Sequence, residues 1–99
     1  MDQTQLVERV FEMTQAIAEA GQIADWQKAA RLAQERSPLV RSIQREQAPV
    51  ALAMIRRIQA MDRSLIDDAR TTQAELTAEY ELATRRIKSA QQYNRVAMF

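Results

Sequence analysis

The side chains that most often carry out catalysis are missing from this sequence. It contains no His and no Cys, which are the usual bases, nucleophiles and transition-metal ligands of enzymes. Asp67 and Asp68 are adjacent carboxylates, but neighbours on a helix point about 100° apart, so we do not expect them to share a proton or a metal ion. With a single Gly, the chain has no glycine-rich phosphate loop. We therefore expect no catalytic residues, no cofactor and no metal site, and we predict that the protein is not an enzyme.

The charge pattern argues against direct nucleic-acid binding. Fourteen basic residues balance thirteen acidic ones, whereas a nucleic-acid binder usually carries a basic excess that neutralises phosphates. There is no apolar run of about 18 residues, and Asp2, Glu8 and Glu12 interrupt any signal-peptide pattern. The absence of Cys excludes disulfides and suits a reducing compartment. We expect a cytoplasmic protein that does not insert into a membrane.

Composition predicts one all-α domain over residues 1–99. A chain with one Gly and two Pro cannot supply the many tight turns of a β-sandwich or barrel. Its most frequent residues, among them Ala, Leu, Gln, Glu and Arg, lose little free energy on entering a helix. We therefore expect helices joined by short connections.

Two amphipathic helices are predicted in the first half. Residues 3–20 form the first, and Gly21 is expected to end it in the left-handed conformation. Asp25 is expected to cap the second. Pro38 predicts either a kink or break near Arg36–Ser37 or a fresh helical piece that begins at Pro38. Apolar residues recur at steps of three and four, as one helix face requires, with one longer step across Pro38: Leu6, Val10, Met13, Ile17 and Ala20 in the first helix, and Trp26, Ala29, Ala33, Val40 and Ile43 in the second.

A long third helix is predicted from Pro49 to about Tyr93, a stretch without Gly or further Pro. Its weakest point is Arg70–Gln73, where a fourth helix could fold back. The predicted architecture is a small antiparallel bundle of three helices, with the third either continuous or broken into a fourth. The apolar stripe of this helix steps by three or four throughout: Met54, Ile58, Met61, Leu65, Ala69, Thr72, Leu76, Tyr80, Ala83, Ile87 and Ala90.

The third helix has more apolar face than the first two helices can cover. The excess must meet a folded-back tail, a second copy or a client protein. The tail from Glu81 to Phe99, which carries Ile87, Tyr93, Val96 and Met98, is read as a frayed end, a partner-docking segment or a cover over the docking face. The predicted partner-binding residues are Met61, Leu65, Ala69, Leu76, Tyr80, Ile87 and Tyr93.

Two single residues allow a structural and a functional interpretation. Trp26 is expected to close one end of the bundle, and the alternative is a binding hot spot. Arg36 lies in the apolar phase of the second helix, so we expect its stem to be packed and its guanidinium to reach water. The alternative for Arg36 is a specific ion pair with an acidic partner.

Several short motifs occur in one order along nearly the whole chain. In this order they resemble the FliT-like flagellar export chaperones. The motifs are Asp25-Trp26 after the first helix, Glu35-Arg36 about ten residues later, Met61-Asp62 with Leu65-Ile66, and Arg85-Arg86-Ile87-Lys88 followed by Tyr93. The chain departs from the family pattern in placing its Gly earlier, at Gly21, and in having Pro38 within a helix that usually continues.

This resemblance implies a cytoplasmic chaperone. Such proteins hold the filament-cap protein before it passes through the flagellar type III export apparatus, and some members contact the export ATPase or a flagellar transcription regulator. The implied mechanism is that an amphipathic helix of the client lies on the exposed apolar stripe. The alternatives are a structural or regulatory helical homodimer and an adaptor that sequesters a transcription regulator.

Overall fold

Three helices make up the computed structural model, which describes residues 1–97. Helix α1 spans Gln3–Gln22, α2 spans Trp26–Arg41 and α3 spans Pro49–Ala97. No strand occurs within these residues, so the predicted all-α class is confirmed. The third helix continues through residues 70–73, and no fourth helix begins there. The chain divides into two compact units, unit 1 at Met1–Ala69 and unit 2 at Arg70–Phe99.

Helix α1 begins with a capping box. The Gln5 backbone N–H donates to Asp2 Oδ1 at 2.8 Å, and the Asp2 N–H donates to Gln5 Oε1 at 3.1 Å. Two backbone donors at the helix start are thereby satisfied. The predicted apolar stripe is confirmed, since all five of its residues are buried and form the centre of unit 1 together with Val7 and Thr14.

The turn between α1 and α2 corrects the prediction for Gly21. The helix continues past Gly21 to Gln22, and the residue with left-handed φ is Ala24, at 57°. The Asp25 N–H donates to the Ala20 carbonyl at 2.9 Å, and the Ala24 N–H donates to the Gly21 carbonyl at 3.0 Å. These two bonds form a Schellman motif, which satisfies the last carbonyls of α1.

Gly21 does not have a left-handed φ and lies where α1 closely approaches side chains of α2 and α3. A Cβ at this position would lie 2.5 Å from Leu65 Cδ1 and 3.3 Å from Trp26 Cζ3. Both distances are shorter than ordinary carbon–carbon contact. The absent side chain therefore lets α3 and the start of α2 approach α1 closely.

Helix α2 confirms the predicted cap and corrects the predicted break. Asp25 Oδ1 accepts a hydrogen bond from the Lys28 N–H at 3.1 Å. The helix does not break near residues 36–37 but continues past Pro38 to Arg41. Pro38 lacks an N–H, so the Gln34 carbonyl has no donor from it. Because Gln34 is exposed, water can serve that carbonyl.

Two clusters of buried residues hold unit 1 together. The first joins α1 to the start of α3 through Val7, Val10, Ala51 and Ile58, and the second joins α1 to α2 through Ile17, Ala20 and Ala29. Partly buried side chains of α2, α3 and the connection between them pack around both: Leu39, Ile43, Met54 and Ile55 against the first, and Trp26, Leu32, Ala33 and Leu65 against the second.

Gln3 ties the connection between α2 and α3 to the start of α1. Its Oε1 accepts from the Gln44 N–H at 2.8 Å and from Gln47 Nε2 at 2.7 Å. Its own Nε2 donates to the Ser42 carbonyl at 3.3 Å. One amide side chain thus holds a connection that has little secondary structure of its own.

Candidate protein-binding surface

The apolar stripe of α3 is covered in unit 1. Ile58 is 7% exposed, and Met54, Met61, Leu65 and Ala69 are half-buried. Met54 packs against the first cluster of unit 1 and Leu65 against the second. This part of the stripe therefore contributes to the stability of the three-helix core.

The same stripe is uncovered in unit 2. Leu76 is 59% exposed, Tyr80 74% and Ile87 60%. Ala83 and Ala90 share this helix face and are exposed as well. We call these five residues the exposed stripe. A continuous apolar face of this kind on a helix is typical of a protein-docking surface.

The structure divides the seven predicted partner-binding residues between the two units. Leu76, Tyr80 and Ile87 belong to the exposed stripe, and Tyr93 is 75% exposed at about 100° to one side of it. Met61, Leu65 and Ala69 lie in unit 1. Within the predicted tail, the Val96 side chain, Met98 and Phe99 lie outside the described residues.

Leu65 and Ala69 keep some access to solvent through an apolar recess in unit 1. The recess has a volume of about 210 Å³, and Trp26, Ala33 and Ile66 also line it. Trp26 is half-buried and packs against the second cluster, in line with the structural interpretation of this residue. The recess is too shallow to enclose a ligand, but it leaves both α3 side chains accessible from one side.

A polar contact in the core of unit 1 joins all three helices. Arg36 Nη1 donates to Asp62 Oδ1 and to Thr14 Oγ1, each at 2.8 Å. The Thr14 hydroxyl in turn donates to the Val10 carbonyl at 2.7 Å. The side chain of Arg36 is 14% exposed and that of Asp62 is 32% exposed. A charge-assisted bond in such partial burial is stronger than an ion pair in water.

This contact corrects the expectation that the Arg36 guanidinium reaches water. Its Nη1 is paired within the chain, and its buried Nε has no partner among the described residues. Thr14 was not predicted as a core residue because it interrupts the apolar composition of the α1 stripe. Its spacing carried the signal, since Thr14 lies four residues after Val10 and one turn before Ala18.

No group of three or more potential metal-ligating side chains occurs in residues 1–97. Asp67 and Asp68 are both exposed. In the same part of the chain, no helix combines the length and the apolar character that crossing a membrane requires.

The chain matches a known protein family. A family model described as flagellar protein FliT matches residues 4–95. This range takes in α1, α2 and nearly all of α3. Neither a curated protein nor a solved structure matches the chain.

Proposed function

The chain belongs to the FliT family of flagellar export chaperones, and from this premise we propose that it holds an axial protein of the filament-cap type before export. The docking face in this proposal is the exposed stripe of α3, with Tyr93 beside it. The client contributes an amphipathic helix whose apolar side lies on Leu76, Tyr80 and Ile87. Covering that helix keeps the client from assembling before it is exported.

The exposure of the stripe is the observation that carries this proposal. The same helix face is buried at Ile58 and exposed at Leu76, Tyr80 and Ile87. Burying a side chain of this size contributes about 1.5–3 kcal/mol, so three of them provide a substantial part of a complex after the costs of association. Tyrosine is also among the residues that most often dominate binding energy.

Charged residues beside the stripe favour one orientation of a bound client helix. Glu75 and Glu79 lie on one side of it toward its N-terminal end, and Arg86 lies on the same side toward its C-terminal end. A client helix with the opposite gradient is favoured, because complementary charges fix the orientation of a partner and suppress the reverse one. We therefore propose that a client helix with acidic residues toward its N-terminus and basic residues toward its C-terminus runs antiparallel to α3.

Substitutions on opposite sides of α3 test the docking face. Leu76→Asp introduces a charge into the stripe, and Ala78→Asp introduces the same charge about 200° away on the same turn. Titration calorimetry with a purified filament-cap protein should show binding lost in the first variant and kept in the second. Equal affinities for both variants would reject the stripe as the docking face, and no binding by the unmodified chain would reject the client class.

The same variants test whether the other partners implied by the family bind the same surface. Neither the adaptor function nor contact with the export ATPase is favoured by a separate surface feature of the described residues. We propose that a transcription regulator or the ATPase, if bound, uses the same stripe and competes with the client. Competition titrations with Leu76→Asp as the control measure this directly.

A further inference from the structure

We propose that unit 1 has a docking surface of its own, a furrow between α2 and α3 that binds an acidic amphipathic helix of another protein. All residues that line this furrow precede Arg70, so it is separate from the exposed stripe. Its occupation therefore does not depend on the client proposed above. The partner is defined by its shape and charge alone, and neither the regulator nor the ATPase is assigned to the furrow.

Two apolar recesses form the furrow. The first has a volume of about 270 Å³ and lies between the end of α2 and the start of α3. The second is the recess of about 210 Å³ beside Trp26, between the start of α2 and residues 65–69 of α3. The two helices therefore run antiparallel along the furrow. Apolar side chains line most of the first recess: Val10, Val40, Ile43, Ile55 and Ile58.

The furrow has the length of a short helix. It extends from Trp26 to Val40 on α2 and from Ile55 to Ala69 on α3, which at about 1.5 Å per residue is about 21 Å in each helix. A partner helix of about four turns spans the same distance. The apolar side of such a helix would pack between α2 and α3 as a further member of the bundle.

Both ends of the furrow offer apolar surface to a partner. Val40 is 41% exposed at one end, and Ile66 is 49% exposed toward the other. The second recess is lined largely by small side chains: Ala29, Ala30, Ala33 and Ala69. Large apolar side chains of a partner can fill the space beside these alanines and leave water by doing so.

The region around the first recess is basic. Residues 36–63 include six arginines and two acidic residues. One of the two acids, Asp62, is paired with Arg36 at 2.8 Å, so the other arginines have Glu46 as the single acidic residue in this range. A positive field of this kind attracts acidic segments and repels basic ones.

Three of these arginines lie on the edges of the furrow. Arg56 and Arg63 are about 80–100° around α3 from Ile55, on its solvent-exposed side. Arg41 is about 100° around α2 from Val40. All three arginines are exposed, and the ion pairs recorded within residues 1–97 involve other residues. Their charges are therefore available to carboxylates on both flanks of a partner helix.

Trp26 reports on occupation of the furrow, because it is the only tryptophan in the chain and lines the second recess. The probes are two synthetic amphipathic helices of about 15 residues, which share one leucine stripe and contain no Trp. One peptide has Glu on both flanks of the stripe, and the other has Lys. Titration with the Glu peptide should shift Trp26 emission to shorter wavelength and saturate. The Lys peptide should bind at least about tenfold more weakly.

Charge reversal on the edge of the furrow tests the proposed complementarity. Arg63→Glu should weaken binding of the Glu peptide by about fivefold or more. Arg31→Glu is the matched control, since it changes the net charge equally but lies on the opposite side of α2 from Val40. It should leave binding unchanged, and circular dichroism should show equal helix content in both variants.

A substitution inside the furrow tests the apolar contact. Val40→Asp places a charge in the first recess and should abolish binding of the Glu peptide. Gln34→Asp places the same charge about 120° around α2 and should preserve binding. Leu76→Asp should preserve it as well, because the exposed stripe is not part of the furrow.

Equal affinities for the two peptides would overturn the proposal, as would equal binding by Arg63→Glu and Arg31→Glu or a titration that leaves Trp26 emission unchanged. An emission shift on concentrating the chain alone would also overturn it, since a second copy would then occupy the furrow. A chain that binds the filament-cap protein but neither peptide would reject the furrow and leave the proposed function intact.

Discussion

Arg36 connects the three helices of unit 1 through one guanidinium nitrogen. It binds Asp62 on α3 and Thr14 on α1, while its stem belongs to α2. Apolar core contacts tolerate changes that conserve their volume. On their own they therefore specify the register of packed helices only loosely. A buried polar contact has one best geometry, so this interaction sets the register of α2 and α3 against α1.

Removing Arg36 should therefore destabilise unit 1. Arg36→Met keeps most of the apolar stem but leaves Asp62 and Thr14 without their donor, which should cost about 1–3 kcal/mol. Urea unfolding followed by circular dichroism measures this. Arg31→Met is the control, because Arg31 pairs with Glu35 at 4.0 Å on the surface and such pairs contribute little. Equal losses of unfolding free energy in both variants would show that the buried contact stabilises the fold no more than the surface ion pair does.

Gly21 offers a second test at a single position. In an open helix Gly→Ala stabilises by about 0.5–1 kcal/mol, but here the new Cβ meets Leu65 Cδ1 at 2.5 Å. Gly21→Ala should therefore destabilise the chain by about 1 kcal/mol or more. In combination with Leu65→Ala, which empties the contact, the two losses should not add. Additive losses in the double variant would show that Gly21 and Leu65 do not interact.

These residues show which parts of the site the sequence could predict. Periodicity located the stripes because burial follows the helix period. It could not assign Gly21, since the need for space arises from Leu65, 44 positions later in the chain. Periodicity could not predict the Arg36–Asp62 ion pair either. The apolar phase of a helix indicates that a side chain points inward, but it does not identify the residue that this side chain contacts.

At the scale of single helices, local sequence patterns predicted the structure correctly where no tertiary contact opposed them. The Asp25 cap was predicted correctly, and so was the apolar face of α1. The break expected near Pro38 does not occur, because Leu39 packs against the first cluster, which favours continuing α2 for another turn. The carbonyl left without a donor lies on the solvent side, so continuation has a small cost.

One substitution in the turn between α1 and α2 should raise the stability of the chain. Ala24 has a φ of 57°, a conformation that costs an L-residue with a Cβ about 1 kcal/mol or more relative to Gly. Ala24→Gly should therefore raise the melting temperature by several degrees. Ala30→Gly places the same substitution in the exposed interior of α2 and should lower it. A fall in both variants would show that the left-handed conformation carries no strain.

At the scale of the whole molecule, the buried residues are concentrated in one part of the chain. Every buried side chain among the described residues lies in unit 1, between Leu6 and Ile58. Most of unit 2 is exposed helix surface. The buried residues and the proposed docking face are therefore separated along the sequence, which explains how a 99-residue chain can keep an apolar face exposed without losing its fold.

This separation predicts the effect of removing unit 2. A chain of residues 1–69 keeps both clusters and the Arg36 contact, so it should unfold cooperatively at a melting temperature within several degrees of the full chain. It should not bind the filament-cap protein, because Leu76, Tyr80 and Ile87 are gone. Calorimetric unfolding measures the first expectation and titration calorimetry the second.

Removing residues 81–99 alone distinguishes the docking face from a cover. If the tail covers the docking face in the free chain, its removal raises client affinity, since the cover occupies the site for part of the time. The structure describes Ile87 and Tyr93 of this segment as exposed, so we expect the opposite. The shortened chain keeps Leu76 and Tyr80 but loses Ile87 and Tyr93, and its client affinity should fall by about tenfold or more because two large apolar contacts are lost. Tighter binding in the same titration would identify the tail as the cover.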